Sequence, residues 1–365
     1  MKIAKRFENF QTYTPIEPFE VLSKRLGRNP EEIIKLDANE NLYGSAPGVK
    51  NALETLKNIN IYPDPESREL REALSNFIGL DQKYLLAGAG ADELIDLLLR
   101  VILEPGELVI NCPPTFGMYS FDTSLNNGEI KDVIRNNDFS INPDGIKKAV
   151  AQFSPKVLFL TSPNNPDGGC ISDELLISLL KLPILIVLDE AYIEFTADTA
   201  KEWNSNSRIK WVKDHNNLVV LRTFSKWAGL AGLRVGYGAF PEWLIPTLWS
   251  AKQPYNINVA ANIAAIQSLK EVGFLEQNIK KIRQERMNLV GLLARIPYLE
   301  PIPSEANFIL CRVKNNSASF VKNYLLERGI MVRYYDTNLL KNYIRISVGK
   351  PSDHLKLIQA LEELK

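Results

Sequence analysis

The residues best suited to chemistry gather around Lys226. They run Thr223-Phe224-Ser225-Lys226, then Gly229-Leu230, then Gly232-Leu233-Arg234-Val235-Gly236-Tyr237. A lysine amine is a nucleophile that can form a Schiff base with an aldehyde. Ser225, Thr223 and Arg234 are the groups a phosphate needs, hydroxyl donors and a planar fork of N–H donors. Most lysines are solvated surface residues. The length of the surrounding pattern, not the lysine alone, sets Lys226 apart.

Four further segments join it. Gly88-Ala89-Gly90-Ala91-Asp92 precedes an apolar helical pattern, so its glycines let backbone approach an anion while a helix N-terminus supplies free N–H groups. Ser162-Pro163-Asn164-Asn165-Pro166 closes one strand pattern and Asp189-Glu190-Ala191-Tyr192 closes the next. A carboxylate directly after Val187-Leu188 is costly to bury unless a cation meets it. Arg345 lies in a later strand pattern, Tyr343 to Val348.

The elements that must position these groups alternate from about residue 46 to 260, the pattern of a parallel α/β sheet. Helical periodicity covers Ser67 to Ile78 and Asp92 to Leu103. Strand patterns cover Glu107 to Asn111, Val157 to Thr161, Ile184 to Asp189 and Leu218 to Arg222. In such sheets ligands bind beyond the carboxyl ends of the strands, where the chemical residues of this chain fall. The division expected is an N-terminal arm with part of a small domain over 1–45, a large α/β domain over 46–262, and a small α+β domain over 263–365. The last holds one long helix from Ile263 to Ile296, strands at Asn307 to Arg312, Ile330 to Arg333 and Tyr343 to Val348, a helix near Ser319 to Arg328 and a closing helix after Ser352.

Composition narrows the function classes. The chain has 365 residues, 45% of them hydrophobic, with 43 basic residues matched by 43 acidic ones. That balance lacks the basic footprint of a nucleic-acid binder. The longest apolar run, Leu182 to Leu188, is too short to span a bilayer and reads as a buried parallel strand. Three dispersed cysteines and 2 histidines predict neither disulfides nor a metal site, and a reducing, cytoplasmic compartment.

Together these segments resemble the fold-type I pyridoxal-phosphate enzymes of the aminotransferase class (class II). The resemblance covers nearly the whole chain, from Leu36-Asp37-Ala38-Asn39-Glu40-Asn41 to Tyr343-Ile344-Arg345-Ile346-Ser347-Val348-Gly349. Tyr62-Pro63-Asp64-Pro65, Cys112-Pro113-Pro114-Thr115-Phe116-Gly117-Met118-Tyr119 and Asp189-Glu190-Ala191-Tyr192-Ile193-Glu194-Phe195 are similar to its histidinol-phosphate branch.

The resemblance implies the fold of that class, a large domain with a mostly parallel central sheet plus a smaller α+β domain, and pyridoxal 5'-phosphate as cofactor. Lys226 would hold the cofactor as a Schiff base and later carry a proton. Asp189 would pair with the ring nitrogen. Asn165 and Tyr192 would bond the ring phenolate oxygen, and Phe116 would stack on the ring. Ala91 and Asp92 backbone N–H groups, Thr223, Ser225 and Arg234 would bind the phosphate, joined by Tyr62 from the neighbouring subunit of a homodimer. Arg345 and Arg333 would bind substrate anions, because the arginine fork suits carboxylate and phosphate alike. Asn41 and Tyr255 would line the substrate pocket.

The implied reaction is ping-pong transfer of an amino group between glutamate and imidazole-acetol phosphate, giving 2-oxoglutarate and L-histidinol phosphate, a step of histidine biosynthesis. Departures from the pattern are Phe116, a stacking ring without a hydroxyl, and Phe19, which cannot donate to a substrate phosphate where the family frequently offers a tyrosine; Tyr13 is the nearest hydroxyl. Rival readings are an aromatic or prephenate aminotransferase, a phospho-amino-acid decarboxylase using the same cofactor, and a non-catalytic dimeric regulator.

Overall fold

The computed structural model describes residues 3–7, 10 and 17–364. Tyr13 lies outside the described residues. Two sheets organise the chain. The first contains β2 (Leu85–Gly88), β3 (Leu108–Asn111), β4 (Glu129–Asp132), β5 (Val157–Thr161), β6 (Leu185–Asp189), β7 (Leu218–Thr223) and β8 (Gly236–Ala239). Its order is β2-β8-β7-β6-β5-β3-β4. Strands β4, β3, β5, β6 and β7 pair in parallel, and β8 runs antiparallel to both β7 and β2.

The side-chain alternation of these strands builds two cores, one on each face. Leu158, Leu160, Ile186, Leu188, Leu218 and Val220 enter one cluster. Val157, Phe159, Leu185, Val187, Val219 and Leu221 enter the other. A strand covered on both faces has no polar alternation, which is why these segments read as continuous apolar runs. The helix Ala91–Ile102 covers the second face with Leu94, Ile95, Leu97, Leu98 and Leu99.

The second sheet has the order β1-β11-β12-β10-β9. It combines β1 (Ile34–Leu36) with β9 (Leu299–Pro301), β10 (Phe308–Val313), β11 (Ile330–Tyr334) and β12 (Tyr343–Ser347). Only the edge pair β1–β11 is parallel. The helices Ala318–Glu327 and Pro351–Glu363 pack Val321, Leu325, Leu357 and Leu361 against it.

The predicted long helix from Ile263 to Ile296 is instead two helices, Val259–Lys270 and Val272–Leu293, meeting at Glu271. The Glu271 carboxylate accepts the Gly48 N–H at 3.0 Å, tying the junction to the helix Pro47–Glu54. Among the described residues, no helix is long and apolar enough to cross a membrane, and no group of three metal-ligating side chains is assembled.

Candidate active site

The carboxyl ends of β5, β6 and β7 and the start of the helix Ala91–Ile102 surround one cavity. Its walls include Ala91, Asp92, Phe116, Asn165, Asp189, Tyr192, Thr223, Ser225, Lys226 and Arg234. Every cofactor-side residue expected from the sequence is there except Tyr62. Thr161, Ala191 and Ala231 complete the lining and were not singled out by sequence.

One end of the cavity is built for an anion. Thr223 Oγ1 accepts the Ser225 N–H at 3.1 Å and donates to Ser225 Oγ at 3.0 Å, a tight hydroxyl turn that presents Ser225 beside Lys226. Arg234 reaches Ser225 Oγ at 3.4 Å and pairs with the Asp92 carboxylate at 2.8 Å. The helix Ala91–Ile102 begins here, so its first N–H groups face the same place. Gly236 makes this closeness possible: a Cβ on it would sit 2.7 Å from the Ala91 nitrogen and 2.8 Å from the Gly90 carbonyl carbon. The Glu93 carboxylate holds the preceding turn by accepting the Ala89 N–H at 2.5 Å.

The other end is built for a cation. Asp189 closes β6 and is 4% exposed. Oδ1 accepts the Ala191 N–H at 2.9 Å and Oδ2 accepts the Tyr119 hydroxyl at 2.7 Å. Burial pushes its carboxyl up to about 6, although both hydrogen bonds work the other way. A carboxylate held this deep gains from a cationic partner.

Lys226 lies between the two ends, with Nζ 3.3 Å from the Ala38 carbonyl oxygen. Burial first, and the Arg345 guanidinium second, lower its amine to about 8. An amine so poised is uncharged for a useful fraction of the time near neutral pH, as a nucleophile or base must be. Tyr192 places its hydroxyl 3.1 Å from the Asn39 side-chain nitrogen, and its ring packs edge-on to Phe308 at 5.1 Å.

Arg345 flanks the cavity. It donates through Nη1 to the Asn165 side-chain oxygen and through Nη2 to the Asp37 carbonyl at 2.7 Å. Across the antiparallel β11–β12 pair, Arg333 is the direct partner of Arg345. Directly opposed residues share one face of a sheet. The Tyr335 ring lies 5.4 Å from the Arg333 guanidinium carbon and 5.8 Å from that of Arg345.

The remaining expected residues fall elsewhere. Asn41 spends its amide on main chain, donating to the Trp227 carbonyl at 2.9 Å and accepting the Tyr43 N–H at 3.0 Å, and so braces the residue after Lys226. Tyr62 is 78% exposed and stacks on Tyr255 at 4.6 Å outside the cavity. Phe19 begins the helix Phe19–Leu26, with Lys35 Nζ 5.7 Å from its ring. Sequence reasoning assigned no role to Tyr119 and Asn39, although both stand in matching segments, and missed Tyr335, which lies outside any motif; tertiary packing brings all three to the site.

The donor set suits a flat molecule with an anion at one end, a protonatable ring nitrogen at the other and an aldehyde between them. The pattern of the family described as aminotransferase class I and II matches residues 31–361. The chain is 54% identical over 96% of its length to a chloroplastic histidinol-phosphate aminotransferase of Nicotiana plumbaginifolia, covering 83% of that protein. It is 44% identical to a histidinol-phosphate aminotransferase of Roseiflexus castenholzii, covering 97% of this chain and 95% of the other. Among solved structures, histidinol-phosphate aminotransferase of Sinorhizobium meliloti in complex with pyridoxal-5'-phosphate superposes with a TM-score of 0.88 at 26% identity, covering 100% of this chain and 99% of that one.

Proposed function

The chain belongs to the class I and II aminotransferases, and on that premise we infer that it interconverts imidazole-acetol phosphate plus L-glutamate and L-histidinol phosphate plus 2-oxoglutarate. It uses pyridoxal 5'-phosphate. The observation that supports the substrate reading is Arg345, which donates to Asn165 of the cavity wall and has Arg333 as its direct partner across the β11–β12 pair. Arginine forks serve phosphate and carboxylate alike.

When bound, the cofactor supplies an aldehyde for amine exchange and a ring that takes up electron density. The chain does the rest. Ser225, Thr223, Arg234 and the first N–H groups of the helix Ala91–Ile102 hold the phosphate. Asp189 holds a proton on the ring nitrogen by opposing it with a buried negative charge. Asn165 and Tyr192 orient the ring oxygen, and Phe116 supports one ring face. Lys226 Nζ carries the proton that moves during transfer. Arg345, backed by Arg333, orients each amino donor so that its reacting carbon meets Nζ.

The functional unit in this reading is a homodimer. Ile59 at 75%, Ile61 at 58% and Tyr62 at 78% exposure form an apolar edge that a second copy would cover, bringing Tyr62 to the partner's phosphate end. Sedimentation of the loaded protein tests this, and a monomer at working concentration would count against it. A cytoplasmic location rests only on free Cys112, Cys170 and Cys311, which suit a reducing compartment; fractionation of the source cells tests it, and recovery in an organelle would overturn it.

The reaction is tested by following 2-oxoglutarate formed from glutamate with imidazole-acetol phosphate or phenylpyruvate as acceptor. Preference for the phosphate supports the reading, and equal use of phenylpyruvate points to the aromatic enzyme.

A further inference from the structure

Along the cavity wall, a chain of hydroxyls ends on Asp189, with Tyr119 and Thr161 buried and Thr115 half-buried. Tyr119 is 0% exposed, and its hydroxyl lies 2.7 Å from Asp189 Oδ2 and 2.8 Å from Thr161 Oγ1. Thr161 Oγ1 lies 3.2 Å from Thr115 Oγ1, which donates to the Asn164 side-chain oxygen at 2.8 Å. The Asn164 amide nitrogen is fixed in turn by the Pro114 carbonyl at 3.1 Å and by the Asp167 carboxylate.

Proton counting gives this chain a direction. A phenol carries one proton, and giving it to Asp189 leaves its oxygen to accept from Thr161. Thr115 gives its proton to Asn164 and can only accept from Thr161, so the single Thr161 proton is shared between Tyr119 and Thr115. The Tyr119 ring cannot swing away, because it stacks on Phe159 at 4.6 Å and meets Phe116 edge-on at 5.6 Å. Burial holds the phenol pKa well above its ordinary value, so the hydroxyl remains a donor.

We propose that Tyr119 is a positioning residue for amino transfer, its hydroxyl, aligned by Thr161, holding Asp189 as the anion that faces the cofactor ring nitrogen. The inference rests on the function read above. A hydrogen bond to the charged form of an acid favours that form. Without it, Asp189 Oδ2 loses its buried donor, Asp189 opposes the ring nitrogen less strongly, and the ring draws less electron density from its junction with Lys226. The proton at that junction is then held more tightly.

The test is a pH titration of visible cofactor absorbance in the loaded enzyme, comparing wild type with Tyr119→Phe. That substitution keeps the ring stack and removes only the hydroxyl. The expected midpoint moves upward by about half a pH unit or more, while kcat falls about tenfold and glutamate KM stays within about twofold. Thr161→Val, which removes the aligning hydroxyl, moves the midpoint the same way by less, and it carries the test should Tyr119→Phe fail to fold. A midpoint unchanged or lowered in a folded, loaded Tyr119→Phe enzyme overturns the inference, as does an unmoved midpoint in Thr161→Val if only that variant folds. A wild type whose absorbance responds to neither glutamate nor histidinol phosphate overturns the functional reading and this inference with it. A responsive wild type beside an unmoved variant overturns the inference alone.

Discussion

The Arg345 guanidinium, in the second sheet, donates to the side-chain oxygen of Asn165, in the loop that follows β5 of the first sheet. Arg345 is 6% exposed, and its other terminal nitrogen is committed to the Asp37 carbonyl. One side chain thus joins the two sheets, the N-terminal segment and the cavity wall. A substrate anion that engages Arg345 acts on a group already aligned by three parts of the chain.

Arg345→Lys replaces this fork with a single point charge. The ammonium cannot satisfy Asn165, Asp37 and a substrate anion in the same geometry. We expect KM for both glutamate and histidinol phosphate to rise about tenfold or more, with cofactor affinity nearly unchanged. Steady-state kinetics and fluorescence titration with pyridoxal phosphate check this. A rise for one donor only would separate the two anion sites.

The Lys226 amine is lowered from 10.5 to about 8 by burial and by Arg345. Burial disfavours the charged form, so the free base appears at lower pH than on a surface lysine. In cofactor-free protein, the rate of acylation at Lys226, read by peptide mass spectrometry, should reach half its maximum near pH 8. Solvated lysines of the same chain should still be rising there. Removing the neighbouring cation in Arg345→Gln should move the Lys226 midpoint upward.

Gly236→Ala tests the close approach of β8 to the phosphate end. The added Cβ meets only backbone, at Ala91, Gly90 and Arg222, so no flexible side chain can yield. Relief requires the helix Ala91–Ile102 to move away from β8. The cofactor should bind about tenfold or more weakly, as expected when charge-assisted phosphate contacts are displaced. Equilibrium dialysis measures it, and unchanged affinity would show that the strand yields instead.

Asp122 is 3% exposed, and its Oδ2 has no hydrogen-bond partner. Burial and the nearby Asp96 and Asp92 carboxylates push it from 3.8 up to about 7. The folded state therefore holds this proton more tightly than the unfolded chain. The cost of an ionised Asp122 is complete above about pH 7 and fades as pH falls toward 3.8. Asp122→Asn should stabilise the protein by about 2 kcal/mol at pH 8 and by little at pH 4.5, compared by urea unfolding.

The cavity was legible in the sequence to an unusual depth because its groups sit at strand ends and in short turns. Asn165, Asp189 and Lys226 each follow an apolar run, and local pattern suffices to place them at one edge of a sheet. Tyr119 stood in a matching segment without a role, because that role depends on which strand its helix covers, and no spacing encodes that. β8 escaped because Gly236-Tyr237-Gly238-Ala239 carries few β-branched residues; its glycines serve close packing against β7 and the helix start. The break at Glu271 escaped because helix-forming residues run through it without a proline, and the signal for it is a tertiary bond to Gly48. Asn41 lay within a matching motif, yet its amide serves the backbone.

The most direct test of the central claim is a half-reaction without acceptor. Loaded enzyme is mixed separately with L-histidinol phosphate, L-glutamate, L-phenylalanine and threonine phosphate, and the visible absorbance of the cofactor bound to Lys226 is followed. The account predicts loss of that absorbance with glutamate and, at much lower concentration, with histidinol phosphate. It also predicts that Arg333→Ala weakens the second response more than the first. A response to phenylalanine as strong as that to histidinol phosphate, or none to any donor, would contradict it.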